Sequence, residues 1–335
     1  MSKLFTPNEV TKLFRITKTK TSLLRDEANN IIPKAERIIR GKSLVRAWKK
    51  TDLPALGKIY GFLKPPASTQ IISVYTAKGG VLKTTLSYNL ARFLAINGIK
   101  TLVVGLDVQC SITDLLANQP EVDSIDKIIT LPGLYEAAKP SIDGGLLINS
   151  VIQKSDLPTL DFIPESINLN FLEQKIRDEK KREHFLTRLI EPIRNDYQVI
   201  IFDNAPSWNF LIQNSLVTSN VVISPIGCDV GTYRSVSQNI GIINNYKKDM
   251  DLFWSRFIIV PTLLEKTKIS TQIEAQYKTM YPELITNTSI RRAVKGQESV
   301  LKNASIIETD PSSPLANDYY ETITEMWEKI LGSSD

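Results

Sequence analysis

The chain has 335 residues, with 41 Lys and Arg against 36 Asp and Glu, two cysteines and a single histidine. That length allows two domains and a sizeable core. Two distant thiols, Cys110 and Cys228, exclude a disulfide framework and, with only His184 beside them, a cysteine–histidine metal or iron–sulfur cluster; they point to a reducing compartment. No run of about eighteen apolar residues could cross a membrane, and residues 1–15 hold no apolar signal core, so a cytoplasmic protein is expected.

Residues 1–66 carry 15 Lys and Arg against 5 Asp and Glu, a net of +10, whereas residues 67–335 sum to −5. A basic appendage on a mildly acidic body is the charge pattern of a nucleic-acid module joined to an enzyme. Within the appendage, FTPNEVTKLF predicts a short helix from Pro7 capped by Thr6, with Val10, Leu13 and Phe14 on one face. A turn at Arg15-Ile16-Thr17 leads to a second helix, KTKTSLLRDEANN, able to enter a major groove. IIPKAERIIRGKSLVRAWKKTDL then reads as a hairpin wing around Arg40-Gly41-Lys42.

The stretch Thr6–Asp52 resembles winged helix-turn-helix domains of the MerR type, and also the N-terminal extension of large plasmid ParA proteins. Lys18, Thr19, Lys20, Thr21 and Arg25 are the candidate DNA contacts. A basic helical dimerisation arm accounts for the same charges. Pro65-Pro66 in LKPPAST marks a short, stiff connector, so a DNA-binding domain is expected over 1–66 and a second domain over 67–335, with 67–69 as the link.

Residues 78–85, KGGVLKTT, lie between an apolar run (IISVY, 71–75) and a helical pattern predicted over 84–97, closed by Asn97-Gly98. Strand, glycine turn and helix in that order present bare backbone N–H groups to phosphate. Lys83 is placed to reach the β- and γ-phosphates, and the Thr84 hydroxyl to complete the shell of Mg2+. The common spelling G-x-x-x-x-G-K-[ST] does not match, because Ala77 and Leu82 occupy its glycine positions. An extra lysine, Lys78, opens the segment instead. This loop resembles the deviant Walker A loop of the ParA/MinD ATPases. The resemblance implies ATP and Mg2+ as cofactors, with Lys78, Gly79, Gly80, Val81, Lys83, Thr84 and Thr85 around the nucleotide. It also implies a homodimer in which Lys78 crosses to the partner's ATP. Leu82 is expected at an ordinary negative φ, as in a loop that tolerates side chains there.

IKTLVVGLDVQCSITDLL follows. Asp107 and Gln109 match the ParA/MinD pattern D-x-D-P-Q, and by that resemblance Asp107 orients the attacking water; Gly105 replaces the first aspartate and Val108 the proline. IRDEKKREHFLTRL places His184 in a charged, solvated stretch. Two buried-strand runs, 198–202 and 221–226, come next; the first ends in Asp203-Asn204-Ala205-Pro206, which fits the family's Walker B, with Asp203 facing Mg2+. RFIIVPT carries Pro261-Thr262, which in the family lies near the adenine.

SIRRAVKGQESV holds Arg291, Arg292 and Lys295, which match a family stretch associated with sequence-independent DNA contact; a solvated helix face accounts for them equally. The last segment, NDYYETITEMWEKILGSSD, is an acidic amphipathic helix without the basic face of membrane-targeting helices, so no membrane partner is expected. The expected architecture is thus α/β: a doubly wound, mainly parallel sheet P-loop ATPase with an N-terminal winged helix-turn-helix domain. The resemblance implies a nucleoid-associated partition ATPase, stimulated by a ParB-type centromere-binding protein, with possible autorepression through the N-terminal domain. Two other readings stay open: a nucleotide-gated transcriptional regulator with negligible hydrolysis, prompted by Gly105, and a MinD-like membrane-positioning ATPase.

Overall fold

The computed structural model describes residues 3–16, 20–40, 43–117, 130–137, 148–293 and 304–332. An amino-terminal unit comprises β1 (Leu4–Phe5), α1 (Pro7–Leu13), α2 (Lys20–Ala28), β2 (Glu36–Arg40), β3 (Ser43–Lys49) and α3 (Leu53–Tyr60). There follow β4 (Gln70–Val74), α4 (Lys83–Ile96), β5 (Thr101–Leu106), α5 (Ser111–Leu116), α6 (Leu131–Ala137), β6 (Gln153–Lys154) and β7 (Leu160–Ile163). Next come α7 (Leu169–Ile176), α8 (Phe185–Ile190), β8 (Val199–Asn204), α9 (Phe210–Thr218), β9 (Val221–Gly227) and α10 (Val230–Asp249). The chain continues through β10 (Arg256–Thr262), α11 (Lys268–Met280), α12 (Ile306–Thr309) and α13 (Pro314–Leu331).

Seven strands form one sheet in the order β10-β9-β4-β8-β5-β7-β6, parallel throughout except for the short edge strand β6. Its strands are apolar on both faces, as a sheet covered by helices on each side requires. Along β8 the alternation is visible residue by residue: Val199 and Ile201 face one core cluster, Ile200 and Phe202 the other. The strand sequence departs to opposite sides of β4, since β5 lies beyond β8 while β9 and β10 lie on the other flank. In open sheets of this kind, ligands bind beyond the carboxyl ends of the strands, at such a point of reversal.

The amino-terminal unit is a three-stranded antiparallel sheet, β1-β3-β2, with α1 and α2 beside it. α1 begins at Pro7. The Thr6 backbone N–H and hydroxyl both donate to Glu9 Oε2, at 2.8 and 2.7 Å, which fixes the first turn. Val10, Leu13 and Phe14 are buried, as their spacing predicts. The helix stops at Arg15, which takes a left-handed φ of 50°.

This unit shares a continuous apolar core with the larger body. Phe5, Leu13, Trp48 and Leu56 belong to the same cluster as Leu90, Phe93 and Leu94 of α4 and Tyr319, Tyr320 and Trp327 of α13. Polar contacts reinforce it: the Tyr320 hydroxyl donates to Leu13 O, and the Arg15 guanidinium sits 3.8 Å from the Tyr320 ring centre. Gly57 permits α3 to meet the end of α4, because a Cβ there would lie 1.8 Å from Ile96 O. Asn97 then accepts from the Phe62 and Leu63 amides at 2.7 and 3.1 Å.

A buried charge cluster lies at the same junction. The Arg92 guanidinium of α4 grips both oxygens of Glu308, at 2.5 and 2.7 Å, and meets Asp156 Oδ1 at 2.8 Å, while Lys50 joins Asp156 at 2.6 Å. Burial would raise the Glu308 carboxyl, but the Arg92 charge prevails and holds it below the ordinary carboxylate range.

Candidate nucleotide-binding site

The loop joining β4 to α4 leaves the sheet from the strand at which the order reverses. Gly79 and Gly80 meet nothing within 4 Å where a Cβ would stand, and Gly80 has φ 75°, so this stretch offers exposed backbone. Leu82 also lies in the left-handed region, at φ 66° and ψ 28°, which corrects the expectation of an ordinary φ. The loop must reverse sharply there to start α4. The half-buried Leu82 packs against the main core, which compensates for a conformation costing about 1–2 kcal/mol outside glycine.

Lys83 opens α4 and is 7% exposed. Its ammonium donates to Lys78 O at 2.8 Å, across the loop's own backbone. Burial lowers its pKa to about 8, against the opposing pull of Asp203 and Asp107. Asp203, near the end of β8, is fully buried; Oδ1 accepts from the Ser87 hydroxyl at 2.6 Å, and Oδ2 is buried without a hydrogen-bond partner among the described residues. Burial raises its pKa to about 6, while hydrogen bonds from Ser87 and Thr84 favour the ionised form. An unpartnered carboxylate oxygen beside a threonine hydroxyl at the mouth of a phosphate loop suits a hard cation. The residues present therefore fit ATP with Mg2+.

Asp107 follows β5 and is half-buried, its Oδ1 accepting from the Gln109 amide at 3.0 Å. Lys78 is exposed at the loop's rim. Close by is Asp229; burial would raise its carboxyl, but hydrogen bonds from Thr232 and the Gly231 amide hold it low, aided by the Lys78 charge. Val81 is buried, and its carbonyl accepts from the Thr262 hydroxyl at 3.0 Å. Thr262 is thus wholly internal, a tie between the loop and β10, and Pro261 lies in the same buried strand end. Both side chains are buried, in the stretch that the resemblance sets near the adenine. Thr85 is half-buried in the first turn of α4.

The candidate DNA-contacting residues are more scattered. Thr21 and Arg25 are exposed on α2, which Lys20 begins; Lys18, Thr19 and Lys295 lie outside the described residues. Arg291 forms a bidentate pair with Asp318, at 2.5 and 2.6 Å, and Arg292 pairs with Glu265 at 2.8 Å. As the structure stands, both arginines are already engaged by carboxylates.

Two residues near the loop escaped sequence reasoning. Ser87 lies one turn beyond Lys83 and holds Asp203. Glu165, just past β7, is 4% exposed, and its carboxylate fills the space above Gly105. Burial and the nearby Asp203 charge push its pKa up to about 8. The one hint in the sequence was Gly105 itself, a missing side chain in a buried strand beside the Asp203 strand.

The AAA domain family model matches residues 69–253, more than half of the chain. The sporulation initiation inhibitor protein Soj of Bacillus subtilis (strain 168) is 28% identical over 258 residues, which are 77% of this chain and 98% of Soj. A putative plasmid partition protein from Borrelia burgdorferi B31, solved bound to AMPPNP, has a TM-score of 0.63 at 22% identity, over 78% of this chain and all of that one. Another solved structure, a partition protein, reaches 0.65 at 17% identity over 96% of this chain and 93% of its own, a likeness of fold. Sheet and loop together define a P-loop ATPase, and the chain belongs to this AAA domain family. Within it, the chain is an ATPase of the ParA type, with ATP and Mg2+ as cofactors. No helix among the described residues is long and apolar enough to cross a membrane.

Proposed function

We propose that this chain is a DNA-partition ATPase that closes into a homodimer around ATP. The observation that carries the reading is the contrast between the two loop lysines. Lys83 is buried and turned onto its own loop, suited to hold phosphate charge in cis, whereas Lys78 is exposed at the rim and free to reach a partner's nucleotide. Catalysis then follows phosphoryl-transfer logic, in which positioned charges do most of the work. Thr84 and Asp203 would hold Mg2+, which would neutralise phosphate charge there. Gly79, Gly80, Val81 and the first turn of α4, with Thr85, supply backbone donors, and Asp107 orients the water. Pro261 and Thr262 brace the loop from behind.

In this reading the closed homodimer binds DNA without sequence preference through Arg291, Arg292 and Lys295, which requires the two arginines to leave Asp318 and Glu265 for phosphates. A ParB-type centromere-binding protein stimulates hydrolysis and release. Residues 1–66 act as a winged helix-turn-helix, with residues 67–69 as the link to the ATPase domain. The order of α1, α2 and the β2–β3 hairpin supports this, and Lys18, Thr19, Lys20, Thr21 and Arg25 are its operator-facing side chains, available for autorepression. The protein works in the cytoplasm, on the nucleoid.

The experiment is size-exclusion with light scattering, plus duplex binding at several salt concentrations, with ADP, ATP and a non-hydrolysable analogue. Dimer formation and salt-sensitive DNA binding with ATP alone are expected, and Lys78→Ala should keep ATP binding while losing the dimer. A monomer with ATP bound, indifferent to duplex, would refute the proposal.

A further inference from the structure

We propose that Glu165 is a positioning residue for ATP hydrolysis: from the turn after β7 its side chain occupies the place that β5 leaves open at Gly105, and it clamps the segment that carries Asp107. The proposal rests on the ATPase activity and is independent of partition.

The strand register sets up the exchange. Gly105 of β5 is the Cα neighbour of Asp203 in β8, and on the other side Val104 pairs with Ile163 at the end of β7. A side chain at 105 would therefore stand next to Asp203. That volume is already taken: a Cβ on Gly105 would lie 2.1 Å from Glu165 Cγ and 2.8 Å from its Cδ. No real Cβ tolerates such distances, and Ile112 Cγ2 stands 2.9 Å away as well, so Glu165 can lie here only because residue 105 is glycine.

The carboxylate is tied to the start of α5. Glu165 Oε2 accepts from the Ile112 amide at 3.1 Å, the Thr113 amide at 3.3 Å and the Thr113 hydroxyl at 3.4 Å. The Thr113 hydroxyl in turn accepts from the Glu165 backbone N–H at 2.8 Å, so the clamp closes on itself. From there the connection to Asp107 is short. The Asp114 amide donates to Cys110 O, and the Cys110 amide donates to Asp107 O, both at 3.2 Å. Cys110 has a left-handed φ of 55°, which tightens this turn. α5 has six residues, too few to hold itself in place without tertiary contacts. Asp107 thus takes its position from Glu165 through Thr113 and the Cys110 turn.

A serine or asparagine would cap those amides with no charge to bury. Glu165 instead places an acidic group, 4% exposed, near Asp203 and Asp107, and its Oε1 has no hydrogen-bond partner among the described residues. An acidic group kept in such a place is costly for capping alone. Its reach explains its presence: the longer side chain spans from β7 over Gly105 to α5, which a shorter one cannot.

The test uses the full chain and four proteins: wild type, Glu165→Ala, Glu165→Gln, and the exchange Gly105→Asp with Glu165→Ala. Turnover is measured beside the affinity for a fluorescent ATP analogue. Misplacing a water-orienting group by about 1 Å can cost about 100-fold, so Glu165→Ala should lower kcat at least about ten-fold, with KM and analogue affinity within about three-fold of wild type. Glu165→Gln, which keeps the acceptor and the reach, should stay within about three-fold of wild-type kcat, and the exchange should regain most of the loss. Wild-type kcat in Glu165→Ala overturns the proposal, as does a parallel fall in kcat and affinity, or a Gln variant as slow as Ala. Should Glu165→Ala fail to fold, the exchange decides: turnover supports the proposal, and a folded but inactive exchange overturns it. A wild type that hydrolyses no ATP under any condition refutes the ATPase reading itself, a different result from any of these.

Discussion

Replacing Arg92 by methionine isolates the energetics of the junction between the amino-terminal unit and the ATPase body. Arg92 is 1% exposed and makes two short bonds to Glu308 and two to Asp156, at 2.8 and 3.4 Å. Methionine fills much of the volume but leaves the Glu308 carboxylate, among the described residues, with the Ser305 amide and hydroxyl plus Lys50 at 3.8 Å. Asp156 suffers less, since Lys50 still meets it at 2.6 Å. Stranding one buried member of an ion pair costs about 3–5 kcal/mol, which for a chain of this size lowers Tm by roughly 4–7 °C. Replacing both Arg92→Met and Glu308→Leu removes the stranded charge and also the Ser305 capping contact, worth about 1 kcal/mol. The double variant should therefore recover most of the loss. Differential scanning calorimetry of the three proteins at one ionic strength measures this. A single variant within about 1 kcal/mol of wild type, or a double variant no more stable than the single, refutes the reasoning.

Lys83→Ala removes the buried ammonium that faces Asp203 and should weaken ATP binding at least about 100-fold by titration calorimetry, leaving far-UV circular dichroism unchanged. At Leu82 the left-handed backbone makes a β-branched residue the worst choice; Leu82→Val should unfold about 2 kcal/mol more easily than Leu82→Gly, as read by urea denaturation, and the reverse order would show that the loop does not hold φ positive. Glu165 gives a pH signature in the ligand-free protein. Its folded pKa, about 8, lies above the ordinary 4.5, so across that window the folded state binds the extra proton and stability falls as pH rises. Asp203, with a pKa of about 6, titrates over the lower part of this window in wild type and Glu165→Gln alike, and Cys110 is pushed up to about 11, so between pH 6 and 8 the difference between the two proteins reports Glu165, with Asp107 as the other facing carboxylate. Wild type should lose roughly 1 kcal/mol per pH unit there relative to Glu165→Gln, and parallel curves would contradict this.

What could be read from the chain beforehand was local. KGGVLKTT sits between an apolar strand and a helical period, so strand, loop and helix follow from neighbours in sequence, and Asp203 follows from four apolar residues ending at a carboxylate. The mainly parallel sheet comes with the resemblance to the ParA/MinD ATPases that those motifs carry. What escaped depends on residues far apart in the chain. Leu82 carries no mark of a left-handed backbone; the loop imposes it. Glu165 becomes visible only once β7 is known to lie beside β5. Arg92 and Glu308 are separated by more than two hundred positions, and Arg291 and Arg292 looked available because Asp318 and Glu265 could not be placed beside them.

The helix α4 has its first turn at the phosphate loop, its middle at Arg92 and Phe93, and its end at Ile96 against Gly57. Its fourteen residues span about 21 Å, and no proline interrupts them. Such a rod cannot tip at the lysine end without swinging the far end. α3, seated there through Gly57, must swing with it, and the amino-terminal unit that shares its core with α4 follows the loop instead of moving on its own.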